Sequence, residues 1–221
     1  GITPGDPYYV SNSTGALPIA GGTDSLASGQ GAKAYGTGGI AIGAFSGAGA
    51  NPGDGGGTDY NTALGYGAEA TGGSSIASGY NAAASGSQSI AQGCEAAASA
   101  DGAIAIGMSE NCDGSGTVTT ASAAGAIALG EATQATGTNA VAFGRNATAS
   151  AAGAIAIGEA TQATGTISLA LGQGANATDR AATAIGAFAS APGIGATAVG
   201  TSATATGDFA TALGSNAFAT E

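Results

Sequence analysis

Histidine and tryptophan are absent from this 221-residue chain, and lysine and arginine together number three. Without histidine, a serine or cysteine nucleophile has no imidazole to take its proton, which removes the commonest arrangement for covalent catalysis. Lys33, Arg145 and Arg180 stand against 14 acidic residues, giving a formal charge of −11. A nucleic acid or an anionic membrane surface would be repelled by that balance. No stretch approaches the roughly 20 consecutive apolar residues of a membrane helix, no basic-then-apolar signal segment opens the chain, and no phosphate-cradling GxxxxGK[ST] occurs. With 8% charged and 5% aromatic residues and 43 glycines, composition alone would suit a low-complexity, disordered chain. Order has to come from somewhere else.

It comes from a repeat. Gly125 to Thr138 reads GAIALGEATQATGT and Gly153 to Thr166 reads GAIAIGEATQATGT, 28 residues on. The glycine after the apolar pair recurs as a pivot at Gly29, Gly43, Gly65, Gly79, Gly93, Gly107, Gly130, Gly144, Gly158, Gly172, Gly186, Gly200 and Gly214. Successive pivots are 14 residues apart except for Gly43 to Gly65 and Gly107 to Gly130, where steps of 22 and 23 contain insertions of eight and nine. A fixed period in which no unit can bury its own apolar face predicts a solenoid.

Counted from the pivot, position −2 is alanine in every copy, from Ala27 to Ala212, and larger residues flank it at −3 and −1, as in Ile40 and Ile42. That alternation is a β-strand with a small and a large face. Position +3 is usually alanine, position +5 is alanine everywhere except at Cys112, and a glycine often closes the unit at +7. Each repeat therefore reads strand, glycine turn, strand, glycine turn. A helix is excluded because two interior glycines per repeat would cost about 1 kcal/mol each. Collagen needs glycine at every third residue, and calcium-binding nonapeptide rolls need a repeated GGxGxD. Stacked at about 4.8 Å, the turns make a rod on the order of 60 Å long.

The alanines are expected inside and the −3 and −1 residues outside. Ile104, Ile106, Ile127, Leu129, Phe143, Ile155, Ile157, Leu169 and Leu171 then form an apolar stripe larger than soluble monomers tolerate, which predicts a symmetric homo-oligomer. Thr183, Thr197 and Thr211 at successive −3 positions also resemble the threonine ladders of ice-binding solenoids, although large −1 neighbours adjoin them.

The organisation expected is an N-terminal cap with a degenerate first rung over 1–24, then a roll of about 13 rungs over 25–221 with insertions near 50–60 and 109–120. Both insertions are polar, glycine-rich and turn-forming, so they leave the rod as surface loops. Their residues Asn51, Asp54, Asp59, Tyr60, Glu110, Asn111 and Asp113 are the candidate ligand-binding positions. The acids match no dedicated calcium loop, and no metal or cofactor is expected. Tyr66 and Tyr80 are further surface candidates. Cys94 and Cys112 can form one disulfide if the second loop folds back over the preceding rung; two free thiols is the alternative. Glu131 and Glu159, two rungs apart at equivalent turns, are explained by repetition, so no catalytic residue is assigned.

GAIAIGEATQATG at 153–165, AVAFGRNATASAAG at 140–153 and TALGYGAEATGGSSIASG at 62–79 resemble the head repeats of YadA-like trimeric autotransporter adhesins of Gram-negative bacteria. The resemblance covers about residues 25–221. It implies an all-β, left-handed parallel β-roll (a β-solenoid) with 14-residue rungs, forming a homotrimer. It also implies a head displayed at the bacterial cell surface by a stalk and a C-terminal outer-membrane anchor outside this sequence. The function implied is attachment to a host extracellular-matrix protein or cell-surface receptor. The alternative is a spacer or self-association module with no host ligand of its own.

Overall fold

The computed structural model describes residues 15–49 and 59–221. The positions Asn51 and Asp54, and most of the expected N-terminal cap, lie outside the described residues. Strands alternate between two parallel sheets, and no helix occurs among the described residues. A front sheet holds 13 three-residue strands, from Leu26–Ser28 to Thr211–Leu213. A back sheet holds 14 two-residue strands, from Ile19–Ala20 to Phe218–Ala219. Each strand pairs in register with its equivalent one repeat away, as Ile155↔Leu169, Ala156↔Ala170 and Ile157↔Leu171. The result is a parallel β-solenoid of about 14 turns.

The strands form because −3 to −1 alternates large, small, large, with β-branched residues common at −3, which suits a pleated, half-buried surface. Alanine at −2 and +5 points into the roll, fully buried in almost every turn. Two further columns point inward. Position +3 does so as expected, and position −4 does so through Ser75, Ala103, Ala126 and their equivalents. The sequence pattern hid the −4 column because serine, alanine, asparagine and glycine all occupy it. One turn thus contributes Ala154, Ala156, Thr161 and Ala163 to the interior, all fully buried. Among the described residues the largest fully buried side chain is Asn61, so the space between the two sheets holds small side chains only.

Several polar members of this layer bond to the backbone of the turns. Thr119, Thr133 and Thr161 at +3 each donate a hydroxyl proton to the pivot carbonyl of the next turn, Gly130, Gly144 and Gly172, at 2.7, 2.6 and 2.6 Å. Asn61 Oδ1 accepts from the backbone N–H of Ser75 at 2.9 Å and lies 2.8 Å from its hydroxyl.

The pivots must be glycine for a reason beyond turn preference. Gly172 has φ 126°, and a Cβ there would stand 2.6 Å from the carbonyl oxygen of Gly186, the pivot stacked on it. The column of pivots is a backbone-on-backbone stack with no room for side chains.

The second insertion corrects one expectation. Ala121, not Cys112, occupies +5 in its turn, because Ala98 pairs with Ala121 and Ala121 with Ala135. Ser109 N–H still bonds to Cys94 O in regular register, and Thr119 resumes the +3 column. The nine extra residues are therefore 110–118, between +2 and +3. Counting five residues past Gly107 lands on Cys112 only because the loop interrupts the turn.

Candidate functional site

The two outer faces differ in chemistry. On the front sheet the −3 and −1 columns carry no charged residue, and the apolar stripe is partly open to solvent. Phe143 is 53% exposed, Ile106, Ile155 and Leu171 are exposed to a lesser extent, and Ile104, Ile127, Leu129, Ile157 and Leu169 are half-buried. On the back sheet the outward columns are +4 and +6. Over five consecutive turns they read Thr120 and Ser122, Gln134 and Thr136, Thr148 and Ser150, Gln162 and Thr164, Asn176 and Thr178, whereas other turns place Lys33, Glu69, Ala83, Ala97 and Phe218 in the +4 column. This run of hydroxyl and amide side chains is legible in the sequence as two polar columns at the 14-residue period over those five turns.

Charge is confined mostly to the corners. Three aspartates at position −6 cap a backbone amide of the turn before: Asp59 accepts from Thr37 N–H, Asp101 from Ser87 N–H and Asp208 from Ile194 N–H, at 2.9, 3.0 and 3.0 Å. Arg145 pairs with Glu159 in the next turn, both about half exposed, and exposed pairs of this kind contribute little.

The bulky exposed corner residues follow a rule that acts across turns. Two corner positions, +2 and −5, lie in the left-handed region. At several of them a glycine in one turn is overlaid by a larger residue in the next. Tyr60 lies across Gly38, its Cδ1 3.0 Å from where a Cβ would be, and Phe45, Ile167, Phe188 and Phe209 lie likewise across Gly31, Gly153, Gly174 and Gly195. These side chains cover bare backbone, the role aromatics play over edge glycines in designed sheets. Tyr60 and Asp59 therefore both have structural work at their corner.

The loop 110–118 is tied down at several points. Cys94 and Cys112 are joined by a disulfide, with Cα atoms 5.7 Å apart, so the loop folds back along the preceding turn. Within it Asn111 bridges Ser115, and Glu110 N–H bonds to Thr117 O. Asp113 Oδ1 accepts from the Ser115 hydroxyl at 2.6 Å and from its N–H at 2.9 Å. These two bonds, the hydroxyl first, hold the Asp113 carboxyl below its ordinary range. Ser109 at the loop base donates to Glu95 Oε2 at 2.6 Å.

The described candidate residues do not converge. Asp59 and Tyr60 stand at the corner before the front-sheet strand Thr62–Leu64, whereas 110–118 leave the corner after the front-sheet strand Ile104–Ile106. Asp59 and the base of the loop 110–118 therefore lie at opposite edges of the roll, about three turns or roughly 14 Å apart along its axis. Among the described residues no group of acidic, histidine or cysteine side chains could hold a metal ion. Asp59 and Tyr60 thus belong to one edge, and Glu110, Asn111 and Asp113 to the other.

Comparison with curated proteins finds no match. The family model described as the YadA head domain repeat (2 copies) matches residues 20–46, 62–82, 84–109, 121–147, 135–161, 163–189 and 191–217, well over half of the chain.

Proposed function

Starting from a chain that belongs to the YadA head-repeat family, we propose that it acts as a homotrimeric head attaching bacteria to a host extracellular-matrix protein or cell-surface receptor. The family implies an adhesin head, and family and fold alike are non-enzymatic kinds of protein. What carries the reading is the contrast between the faces. One long side is largely apolar along the rod and uncharged, so three copies can bury it around a common axis. The other carries, over five consecutive turns from Thr120 to Thr178, a run of hydroxyl and amide groups that stays in water and offers similar hydrogen-bonding groups turn after turn.

Repeated weak contacts along three chains gain by multivalency, and a surface densely covered with such heads gains again. The loop 110–118, with Glu110, Asn111 and Asp113, and the opposite corner, with Asp59 and Tyr60, interrupt this regular surface and give it local identity, and the sequence positions Asn51 and Asp54 remain candidates beside them. Binding of the trimer to an immobilised panel of matrix proteins, repeated with each insertion deleted, tests the proposal. Saturable binding that weakens on deletion supports it. No binding by the intact trimer refutes it for this chain and favours the spacer or self-association reading.

A further inference from the structure

Most bulky corner residues cover a glycine of the turn before; Tyr66 and Tyr80 do not. They occupy position +1 in consecutive turns, and their rings stack with centroids 5.5 Å apart and planes 11° from parallel. Phe45 meets Tyr66 edge-on at 5.6 Å, closing one end of the stack. Both tyrosines remain substantially in solvent, at 50% and 44% exposure. The same +1 column continues through Cys94, which is oxidised to the disulfide with Cys112, and Met108, which is 50% exposed. The chain has one methionine and two cysteines. Its oxidisable sulfur is therefore gathered on one edge, in line with two stacked phenols.

We infer that this edge is a site of oxidative modification, at which Tyr66 and Tyr80 are coupled into an intrachain dityrosine by a haem peroxidase using hydrogen peroxide. Each phenol loses one electron and one proton to give a tyrosyl radical. The two radicals join through a new carbon–carbon bond between the ring positions ortho to the oxygens, and loss of the two ortho protons to solvent, with reprotonation of the oxygens, restores both aromatic rings. Overall two tyrosines lose two protons and two electrons, and hydrogen peroxide takes them up to become two waters.

The fold supplies what coupling in a dilute chain lacks. Parallel, in-register turns hold the two Cα atoms one rung apart, about 4.8 Å, so the second radical forms beside the first. Exposure gives the oxidant access and lets the rings swing out of the stack until their ortho carbons meet. The product would be a second covalent tie between turns on the edge that already carries the disulfide.

The test treats the whole chain with a haem peroxidase and hydrogen peroxide, then maps the products by proteolysis and mass spectrometry. The expected result is dityrosine fluorescence and one dominant intrachain link, two hydrogens lighter than the separate peptides, between Tyr66 and Tyr80. Y66F and Y80F keep the ring stack and each should lose most of the signal. Unfolding in urea before oxidation should abolish the selectivity. A dominant link through Tyr8, Tyr9, Tyr35 or Tyr60, a link mainly between chains, the same partition in urea, or an undiminished signal in Y80F would overturn the inference.

Discussion

A methyl group is the unit of tolerance in this molecule, and which single atoms matter depends on what the next turn places over them. At Gly172 an added Cβ meets the Gly186 carbonyl, whereas at Gly102, with φ 65°, it meets nothing within 4 Å. Gly172→Ala is expected to cost about 2–4 kcal/mol through clash and backbone strain. Gly102→Ala should cost only about 1 kcal/mol, the left-handed penalty alone. Thermal unfolding of the two variants side by side checks the ordering. The buried hydroxyls divide in the same way. Thr161→Val removes a hydrogen bond to the Gly172 carbonyl, which keeps its bond from the Ala175 N–H, and should cost about 1 kcal/mol. Ser168 is buried with no partner for its hydroxyl, and most of its equivalents farther along the chain are alanine. Ser168→Ala should accordingly be neutral or stabilising by up to about 1 kcal/mol; a clear loss of stability would show that the hydroxyl has a role.

Among the elements, the loop 110–118 is the least dependent on the roll. The strands on either side of it pair directly, Ala97 with Thr120 and Ile104 with Ile127, so the solenoid passes beneath without a gap. Reducing the Cys94–Cys112 disulfide, which spans 18 residues, is expected to free the loop and lower stability by about 3 kcal/mol at most on chain-entropy grounds. The β-sheet signal in circular dichroism should remain. Protonation acts on the same loop. Because the Asp113 carboxyl is held below its ordinary value by Ser115, its contribution is present above the unfolded value. It is lost as the pH falls through the folded one, a window below about pH 4. Amide exchange at Ser115 should be unchanged from pH 7 to 5 and quicken, relative to the intrinsic rate, under more acidic conditions. The position of this loop could not be read from Cys112 by counting, whereas pairing across the sheet placed it directly.

For the whole molecule, the difference between the faces makes the strongest demand. In the proposed trimer, Leu129→Asp or Ile157→Asp would bury three carboxylates near one axis, each penalised by several kcal/mol. Light scattering should then show loss of the trimer mass. Thr148→Asp on the back sheet should leave that mass intact. A wild-type chain of monomeric mass, or equal sensitivity of both faces, would remove the basis for the trimer. The rod also explains why the charge of −11 is tolerated: it is spread along corners and loops over a length on the order of 60 Å, several screening lengths at physiological salt.

By itself the sequence determined the period, the strand alternation, the inward alanines at −2 and +5 and the glycine pivots, because each recurs at one spacing and survives any small shift in geometry. Those features also carried the family resemblance. Only the tertiary structure decided the rest. Stacking one turn on the next, 14 residues away, reveals the inward −4 column, the aromatics laid over glycines, the aspartate caps, the edge that carries the loop 110–118 and the Tyr66–Tyr80 stack. All of these are contacts between neighbouring turns, and a side chain's role there depends on the residue beside it in space.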